Sequence, residues 1–294
     1  VVRTLLSPIF ERQFHDASYG FRPKRSCHQA LEAVLGLHRQ GFLYVLDADI
    51  KGFFDNIPFQ VIMKAVGAEV ADGNILRLVE KFLRSGVMED GVFKPTTIGT
   101  PQGGVISPLL ANIVLNHLDW QLHNAGYRFV RYADDFVVVC LTLKQAEEAR
   151  IKVEHTLRAD LGLELSQEKT KITTYGNGYS FLGFLLSSRS RKMRPKSKAK
   201  FRDKIRDLTP RSHNLEAKVI EQLNRVIRGT ANYFATHFST GREDFRKLDS
   251  WIRMRLRCMR FKRKSAHDNH RMRMRTFRKL GLLSLEEFWE DMAM

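Results

Sequence analysis

Residues 127–141 read YRFVRYADDFVVVCL. Two apolar runs rich in β-branched and aromatic residues flank the central segment RYADD (131–135). Such runs on either side of a short polar segment predict a β-hairpin with Asp134 and Asp135 at its turn. Because Asp is a favoured turn residue, a purely structural role remains the simpler interpretation while this pair is considered alone.

A second acidic position lies upstream, at the end of another apolar run. Residues 42–46 (FLYVL) lead directly into Asp47-Ala48-Asp49-Ile50, which predicts a buried strand with an acidic carboxyl end. Helix capping is the structural alternative for Asp49. Together with the hairpin, this strand would place like charges at the edge of a core, which is unfavourable unless cations neutralise them.

The residue types favour magnesium as that cation. Carboxylate oxygens are hard ligands, and the sequence has no Cys or His pairs at zinc spacing. Two Mg²⁺ ions ~3.5–4 Å apart are the general machinery of in-line phosphoryl transfer, in which one activates the attacking hydroxyl and the other supports the leaving oxygen.

Other segments predict a mixed set of elements. We expect a helix after an N-cap at Ser107, and a charged helix over 144–160. We also expect a strand over 179–186, in which Gly183 marks a bulge or a close backbone approach. After residue 200 the pattern is helical and basic. Mixed elements followed by helices alone predict an α+β domain and a smaller α-helical one.

Charge divides the chain into two parts. The 294 residues include 49 Lys and Arg against 32 Asp and Glu, a formal net charge of +17. Residues 1–185 contain 20 of each kind, so the other 29 basic and 12 acidic residues carry the whole excess. That excess predicts a polyanionic partner such as nucleic acid, with a solvated charged face as the alternative. The basic, apolar-poor segment 187–200 is typical of a linker.

Composition excludes several classes of protein. A hydrophobic fraction of 43% excludes a disordered or collagen-like chain, and three widely spaced cysteines exclude a disulfide scaffold. No apolar run reaches the ~18 residues of a membrane span, and the first residues lack the pattern of a signal peptide. We therefore expect a soluble, cytoplasmic protein, with an organelle as the alternative location.

Ordered motifs around these residues closely resemble those of bacterial group II intron-encoded reverse transcriptases. In chain order they are SYGFRP (18–23), DADIKGFFDNI (47–57), GTPQGGVISPLLAN (99–112), YADD (132–135), LGL (161–163), EKTK (168–171) and FLGF (181–184). Further on, GTANYF (229–234) and LDSW (248–251) resemble the maturase-specific thumb, called domain X. The family has fingers sequence ahead of the segment that starts here at Val1, so we expect the fingers to be incomplete.

The resemblance implies the catalytic residues. Asp49, Asp134 and Asp135 match the catalytic and metal-binding aspartates, with the carbonyl of Ile50 as a further metal ligand. Lys169 resembles the lysine near the pyrophosphate leaving group, where a cation stabilises charge or donates a proton. An ordinary surface lysine is the alternative for Lys169.

The resemblance also implies the residues that bind nucleotide and primer. Phe54 matches the steric gate against the ribose 2′-hydroxyl, and Gln102 lies near the incoming nucleotide and template. Arg22 is a candidate contact to triphosphate or template, with a solvated loop as the alternative. The primer-grip box corresponds to Phe181, Leu182 and Gly183. For Phe181 and Leu182, packing in the core is an equal alternative.

The resemblance implies an α+β, right-hand polymerase. Partial fingers and a palm with an antiparallel sheet occupy residues 1–186, the basic linker 187–200, and a helical thumb or maturase domain 201–294. The implied activity is Mg²⁺-dependent nucleotidyl transfer to a primer 3′-hydroxyl on an RNA template, with Mn²⁺ as a possible substitute metal. The implied partners are template and intron RNA, an RNA–DNA hybrid and dNTPs, with a homodimer as one possible state and no membrane.

Two alternatives stay open, and a third is not supported. The chain could be a non-catalytic RNA-binding maturase, because the fingers are truncated relative to the family. It could instead belong to a retron, diversity-generating or defence-type lineage of reverse transcriptases. A nuclease based on His267-Asp268-Asn269-His270 is not supported, because no metal-binding Cys pairs surround this segment.

Overall fold

The computed structural model describes residues 1–85, 87–89, 92–94, 98–100 and 104–293. The chain folds into two compact units, Val1–Leu182 and Gly183–Met294, so the division falls four residues before the predicted one at 186. Each unit has its own hydrophobic core. Within the described residues, no helix has both the length and the apolar character needed to cross a membrane.

The first unit contains seven helices and seven strands among its described residues. The helices are α1 (Val2–Glu11), α2 (Cys27–Arg39), α3 (Phe53–Asn56), α4 (Phe59–Gly67), α5 (Gly73–Arg84), α6 (Ser107–Asn124) and α7 (Leu143–His155), which continues into a π-helical turn (Thr156–Asp160). The strands are β1 (Tyr44–Ala48), β2 (Val87–Glu89), β3 (Val92–Lys94), β4 (Arg128–Tyr132), β5 (Asp135–Cys140), β6 (Lys171–Thr174) and β7 (Tyr179–Phe181).

An antiparallel sheet in the order β4-β5-β1-β6 forms the centre of this unit. Alternate residues of the two central strands, such as Leu46 and Val138, belong to the large core to which α6 and α7 also contribute. The residues between them, such as Val45 and Val137, are also buried, and α2 contacts strands β4 and β5. Burial of both faces explains why β5 reads as an unbroken apolar run rather than an alternating one.

Two local expectations need correction. Helix α6 includes Ser107 as its first residue, with Ile106 at the N-cap, so the predicted helix is present but Ser107 is not the cap. The strand predicted over 179–186 is interrupted, because Leu182 and Gly183 adopt positive φ angles of 46° and 82°. Two consecutive residues in the left-handed region turn the chain, so Gly183 serves a turn rather than a bulge.

The second unit contains a short hairpin and six helices. These are β8 (Phe184–Leu186), β9 (Arg191–Met193), α8 (Pro195–Leu208), α9 (Ala217–Phe234), α10 (Arg242–Phe261), α11 (Asp268–Arg271), α12 (Met274–Lys279) and α13 (Leu285–Ala293). The segment 187–200 therefore carries regular structure and is not the linker that its composition suggests. Its residues pair as β9 with β8 and then start α8, where Pro195 occupies the first turn.

A buried carboxylate joins two helices of this unit. Asp249 of α10 accepts hydrogen bonds from the Oγ of Ser284 (2.7 Å) and from the backbone N–H groups of Leu285 and Glu286 (both 3.0 Å). These bonds satisfy donors at the start of α13, an interaction on the order of 1 kcal/mol. Asp249 belongs to the LDSW motif, whose Asp therefore has a structural role here.

Candidate active site

The hairpin of β4 and β5 carries the aspartate pair as predicted. Tyr132 pairs with Asp135, which leaves Ala133 and Asp134 as a two-residue turn. Ala133 has a φ of 58°, the left-handed conformation that such tight hairpin turns require. The β-hairpin is confirmed, with Asp134 in the turn and Asp135 as the first residue of β5.

The register of the sheet places the acidic end of β1 beside this turn. Ala48 pairs with Phe136, and continuing that register by one residue sets Asp49 beside Asp135. Asp47 lies two residues before Asp49, so both point to the sheet face opposite to the one that contacts α6 and α7. The Asp47 carboxylate lies 3.8 Å from the Nζ of Lys171.

A turn after the π-helical segment holds Asp49 from the other side. The backbone N–H of Ser166 donates to the carbonyl of Asp49 (2.8 Å), and Thr170 Oγ1 accepts from the Asp49 N–H (3.3 Å). The same turn positions Lys169, whose Nζ lies 3.2 Å from Oδ2 of Asp49. Lys169 therefore lies at the carboxylates, although its side chain is 69% exposed.

Burial and charge perturb the Asp134 carboxyl. Burial raises its pKa above the ordinary value, and the negative charge of Asp49 raises it further. The backbone N–H of Asp134 and the positive charges of Arg131 and Lys169 act in the opposite direction. The negative charge of Asp49 therefore acts on Asp134, and two neighbouring carboxylates of this kind attract a cation.

Two substitutions are expected to move the pKa of Asp134 in opposite directions. Asp49→Asn removes a like charge and is expected to lower it, whereas Lys169→Gln removes a positive charge and is expected to raise it further. A raised pKa means that the carboxylate becomes protonated at a higher pH. As the pH is lowered, any activity that needs the ionised carboxylate should therefore be lost at a higher pH in Lys169→Gln than in the unmodified chain. Carbon-13 NMR titration of the Asp134 carboxyl measures both shifts, and shifts of equal sign would contradict this account.

The carboxylates fit a magnesium site only in part. Among the described residues, no three His, Cys, Asp or Glu side chains gather into a metal-binding cluster, so the chain alone does not form the predicted three-carboxylate site. Mg²⁺, however, is commonly held by one or two carboxylates together with waters and substrate phosphates. The coupled pair of Asp49 and Asp134 meets that smaller requirement. Ile50 faces Leu165 in a bridge whose two hydrogen bonds are made by the flanking residues, so this bridge does not use the Ile50 carbonyl.

Phe54 lies on α3, close behind Asp49 in sequence. Its half-buried ring contacts the ring of Phe53 edge-on, with centroids 5.2 Å apart. The backbone N–H of Thr100 donates to the Phe54 carbonyl (2.6 Å), and a Cβ on Gly99 would lie 2.6 Å from the backbone of Asp55. The residues just before the PQGG box are therefore fixed against α3. Gln102 itself lies outside the described residues.

The predicted primer-grip residues differ in exposure. Phe181 is fully buried, and Leu182 is partly exposed in the turn described above. The strand that leads to them is anchored by Tyr179, whose hydroxyl lies 2.8 Å from Nε2 of the buried His38. Core packing thus accounts for Phe181.

Arg22 is not placed for a nucleotide contact. Its guanidinium is 3% exposed and forms a 2.8 Å ion pair with Glu11. It also donates to the carbonyls of His15 (2.7 Å) and Ser18 (2.8 Å). Because these groups occupy its donors in the interior, Arg22 has a structural role, which neither the triphosphate prediction nor the solvated-loop alternative anticipated.

A buried ion pair that the sequence motifs do not indicate lies next to the turn. Arg131 and Asp119 are almost fully buried and are joined by Nη2 and Oδ2 at 2.5 Å. The sequence offered one indication of this pair, because each residue is a charged residue within an otherwise apolar pattern. Asp119 lies in this position in α6, and Arg131 lies between Val130 and Tyr132 in β4. Such residues are rarely buried unless they are paired.

Two family models match the chain. The reverse transcriptase (RNA-dependent DNA polymerase) model matches residues 1–186, and the group II intron, maturase-specific domain model matches residues 198–279. The first match alone covers more than half of the chain, so the chain belongs to the reverse transcriptase family and, with the second, to its group II intron-encoded maturases. The maturase match favours this lineage over retron, diversity-generating or defence-type enzymes.

Individual proteins agree with this assignment. The chain is 35% identical over 225 residues to protein YkfC of Escherichia coli, a match that covers 63% of this chain and 59% of that protein. It is 28% identical over 310 residues to the group II intron-encoded protein LtrA of Lactococcus lactis, covering 80% of this chain and 51% of LtrA. The chain therefore spans about half to three fifths of these relatives.

A solved structure supports the fold. Apo telomerase from Candida tropicalis matches with a TM-score of 0.55 at 12% identity, over 98% of this chain and 55% of that one. At this identity the likeness concerns the fold alone. Together with the antiparallel palm sheet and the helical second unit, it confirms the predicted α+β, right-hand polymerase class.

Proposed function

We propose that the chain is an RNA-directed DNA polymerase that also binds intron RNA as a maturase. The reaction joins a deoxynucleotide to a primer 3′-hydroxyl and releases pyrophosphate. The observation that carries this proposal is geometric: the β1–β5 register sets Asp49 beside the turn that carries Asp134, and Lys169 contacts Asp49. Membership in the reverse transcriptase family supports it, since phosphoryl transfer depends on positioning and on electrostatic stabilisation.

The metal in this proposal is magnesium, as two ions, with Mn²⁺ as a substitute. Reverse transcriptases in general use divalent metal ions. Asp49 and Asp134 would hold Mg²⁺, and Asp135 and the Ile50 carbonyl are the further candidate ligands. When bound, Mg²⁺ would supply a more acidic attacking hydroxyl and neutralise charge on the leaving group. The chain contributes the placement of Asp49 next to the turn that carries Asp134.

Lys169 supplies a positive charge at the same place. Its ammonium group is held next to Asp49 by the Ser166–Thr170 turn, in which the Thr170 N–H donates to the Ser166 carbonyl (2.8 Å). There it can stabilise negative charge on the pyrophosphate leaving group or give it a proton. An exposed pair of this kind adds little stability, so we assign Lys169 to catalysis rather than to folding.

Phe54 is proposed as the gate that excludes ribonucleotides. Phe54→Val is expected to reduce the preference for dNTPs over rNTPs by about tenfold or more, because loss of a steric clash is worth 1–3 kcal/mol. Primer extension with each nucleotide class measures the ratio of the two kcat/KM values. Phe59→Val, at a partly buried position on α4, is the matched control. An unchanged ratio in Phe54→Val would remove Phe54 from nucleotide selection.

The second unit is proposed as the thumb and maturase domain, with RNA and an RNA–DNA hybrid as its ligands. Several of its lysines are exposed along one side of α8, four residues apart: Lys196, Lys200 and Lys204. Lysines on one helix side suit contacts to successive phosphates. Arg202 and Arg206 lie over the ring of Trp251 at 5.6 and 5.9 Å, and this stacking braces α8 against α10.

One experiment separates polymerisation from the non-catalytic alternative. Asp134→Asn should abolish primer extension on an RNA template but leave intron RNA binding and splicing assistance in place, because the second unit carries the basic surface. Both activities are measured with the unmodified chain and with Asp160→Asn, an exposed aspartate paired with His117, as the control. If the unmodified chain assists splicing and extends no primer, the non-catalytic maturase alternative is correct.

A further inference from the structure

The turn that carries Asp134 is held by a buried arginine. The guanidinium of Arg131 donates Nε to Oδ1 of Asp119 (2.7 Å) and Nη2 to Oδ2 of the same carboxylate (2.5 Å). Its Nη1 donates to Oδ1 of Asn112 and to the backbone carbonyl of Ala133, both at 2.9 Å. Arg131 thus connects helix α6 to the residue immediately before Asp134.

Fold stability alone does not account for this pair. Burying two charges is costly, and apolar side chains of similar volume commonly give equal or greater stability. What an apolar pair lacks is a donor to the Ala133 carbonyl. Ala133 has a left-handed backbone with φ of 58°, which costs about 1–2 kcal/mol for a residue with a Cβ, so the conformation needs external support.

The same turn is also confined from its other side. The segment Ala17–Tyr19 pairs with Arg131, through Arg131 N–H to the Ala17 carbonyl (2.9 Å) and Tyr19 N–H to the Arg131 carbonyl (2.8 Å). A Cβ on Gly20 would lie 2.3 Å from the backbone nitrogen of Ala133. Only glycine therefore allows this close backbone approach.

Asn112 joins the two supports. Its side-chain Nδ2 donates to the Gly20 carbonyl (2.7 Å), while its Oδ1 accepts from Arg131. Asn112 is 1% exposed and Arg131 is fully buried, so these bonds form in an environment where they are strong and directional. Three segments far apart in sequence therefore meet at one turn.

We propose that Arg131, fixed by Asp119 and Asn112 within a turn whose backbone packs against Gly20, is a positioning residue that sets the metal affinity of Asp134. The proposal rests on the proposed function, in which Asp134 holds a divalent cation. Supports of this kind around a metal ligand typically change metal affinity by about 10–100-fold.

Metal binding without catalysis gives the test. Mn²⁺ binding to the full chain is measured by electron paramagnetic resonance, and primer extension is measured over a range of Mg²⁺ concentrations. Arg131→Lys keeps the charge but loses the fork of donors, and Gly20→Ala adds only a methyl group. Gly36→Ala is the control, because a Cβ at Gly36 in α2 meets no atom within 4 Å.

Both test variants are expected to bind Mn²⁺ at least about tenfold more weakly than the unmodified chain, and Gly36→Ala to bind as the unmodified chain does. Raised Mg²⁺ should restore their extension rate, which a general folding defect would not allow. Thermal unfolding identifies a variant that fails to fold. If one of the two test variants fails to fold, Mn²⁺ binding by the other variant tests the positioning role.

Two further outcomes distinguish failure of the positioning role from failure of the proposed function. Folded variants with unchanged Mn²⁺ binding, or with a rate loss that added metal does not restore, would overturn the positioning role and leave the polymerase proposal intact. An unmodified chain whose Mn²⁺ binding is unaffected by Asp134→Asn would instead contradict the proposed function itself.

Discussion

Asp134→Asn is expected to lower the rate of Mg²⁺-dependent primer extension by at least about 10³-fold. A metal ion supplies several kcal/mol of charge stabilisation in the transition state, and each 1.36 kcal/mol corresponds to tenfold in rate. Asparagine keeps the size of the side chain and removes the charge that is coupled to Asp49. Single-turnover primer extension measures the rate of the chemical step.

The control for this prediction separates charge loss from damage to the fold. Asp160→Asn removes an aspartate that is 43% exposed and paired with His117, so its rate should stay within about twofold of the unmodified chain. Because burial raises the pKa of Asp134, the fold disfavours its charged form, and Asp134→Asn, which removes that charge, should not lower thermal stability. A rate loss below tenfold in Asp134→Asn would remove this carboxylate from the catalytic site.

RNA binding is expected to weaken by about 10³- to 10⁵-fold between 50 and 200 mM salt, provided that 6–10 phosphates are contacted. The reason is that residues 186–294 carry 29 basic and 12 acidic residues, and phosphate contacts release counterions. Fluorescence anisotropy with a labelled intron RNA at several salt concentrations gives the slope of log affinity against log salt. An affinity that does not depend on salt would contradict a phosphate-contacting role for this unit.

A local version of this prediction concerns α8. Replacing its three exposed lysines by glutamine should reduce the salt slope by about two, because each lost phosphate contact accounts for roughly 0.7–0.9. The substitutions are Lys196→Gln, Lys200→Gln and Lys204→Gln. A control with the same loss of charge uses exposed lysines of the first unit, Lys64→Gln, Lys81→Gln and Lys144→Gln. Equal slopes for the two triple variants would show that net charge, and not this helix side, governs binding.

Features governed by local patterns could be predicted from the sequence. The hairpin around Asp134 follows from two apolar runs and a turn, and the strand that leads to Asp49 follows from one apolar run. The proximity of the two acidic segments was also predictable. Like charges at the edge of a core are unfavourable unless they share a cation, and a shared cation requires them to lie close together. The coupling of Asp49 and Asp134 through the β1–β5 register agrees with that reasoning.

Features that depend on distant packing could not be predicted. The roles of Arg22 and Arg131 are set by partners on other elements, and a single sequence does not show which carboxylate an arginine will meet. The interruption of the strand at Leu182–Gly183 was not predicted, because leucine rarely adopts a positive φ. The regular structure of segment 187–200 was not predicted, because its basic composition is typical of a linker and obscured a short strand that pairing stabilises.

The polymerase proposal places the copying of RNA into DNA at the site formed by Asp49 and Asp134. The most direct test supplies the unmodified chain with a primed RNA template, dNTPs and Mg²⁺, next to parallel reactions with EDTA and with Asp134→Asn. On this proposal we expect template-dependent extension by the unmodified chain alone, and none in the other two reactions. Absence of extension by the folded chain, with salt-sensitive RNA binding retained, would contradict it.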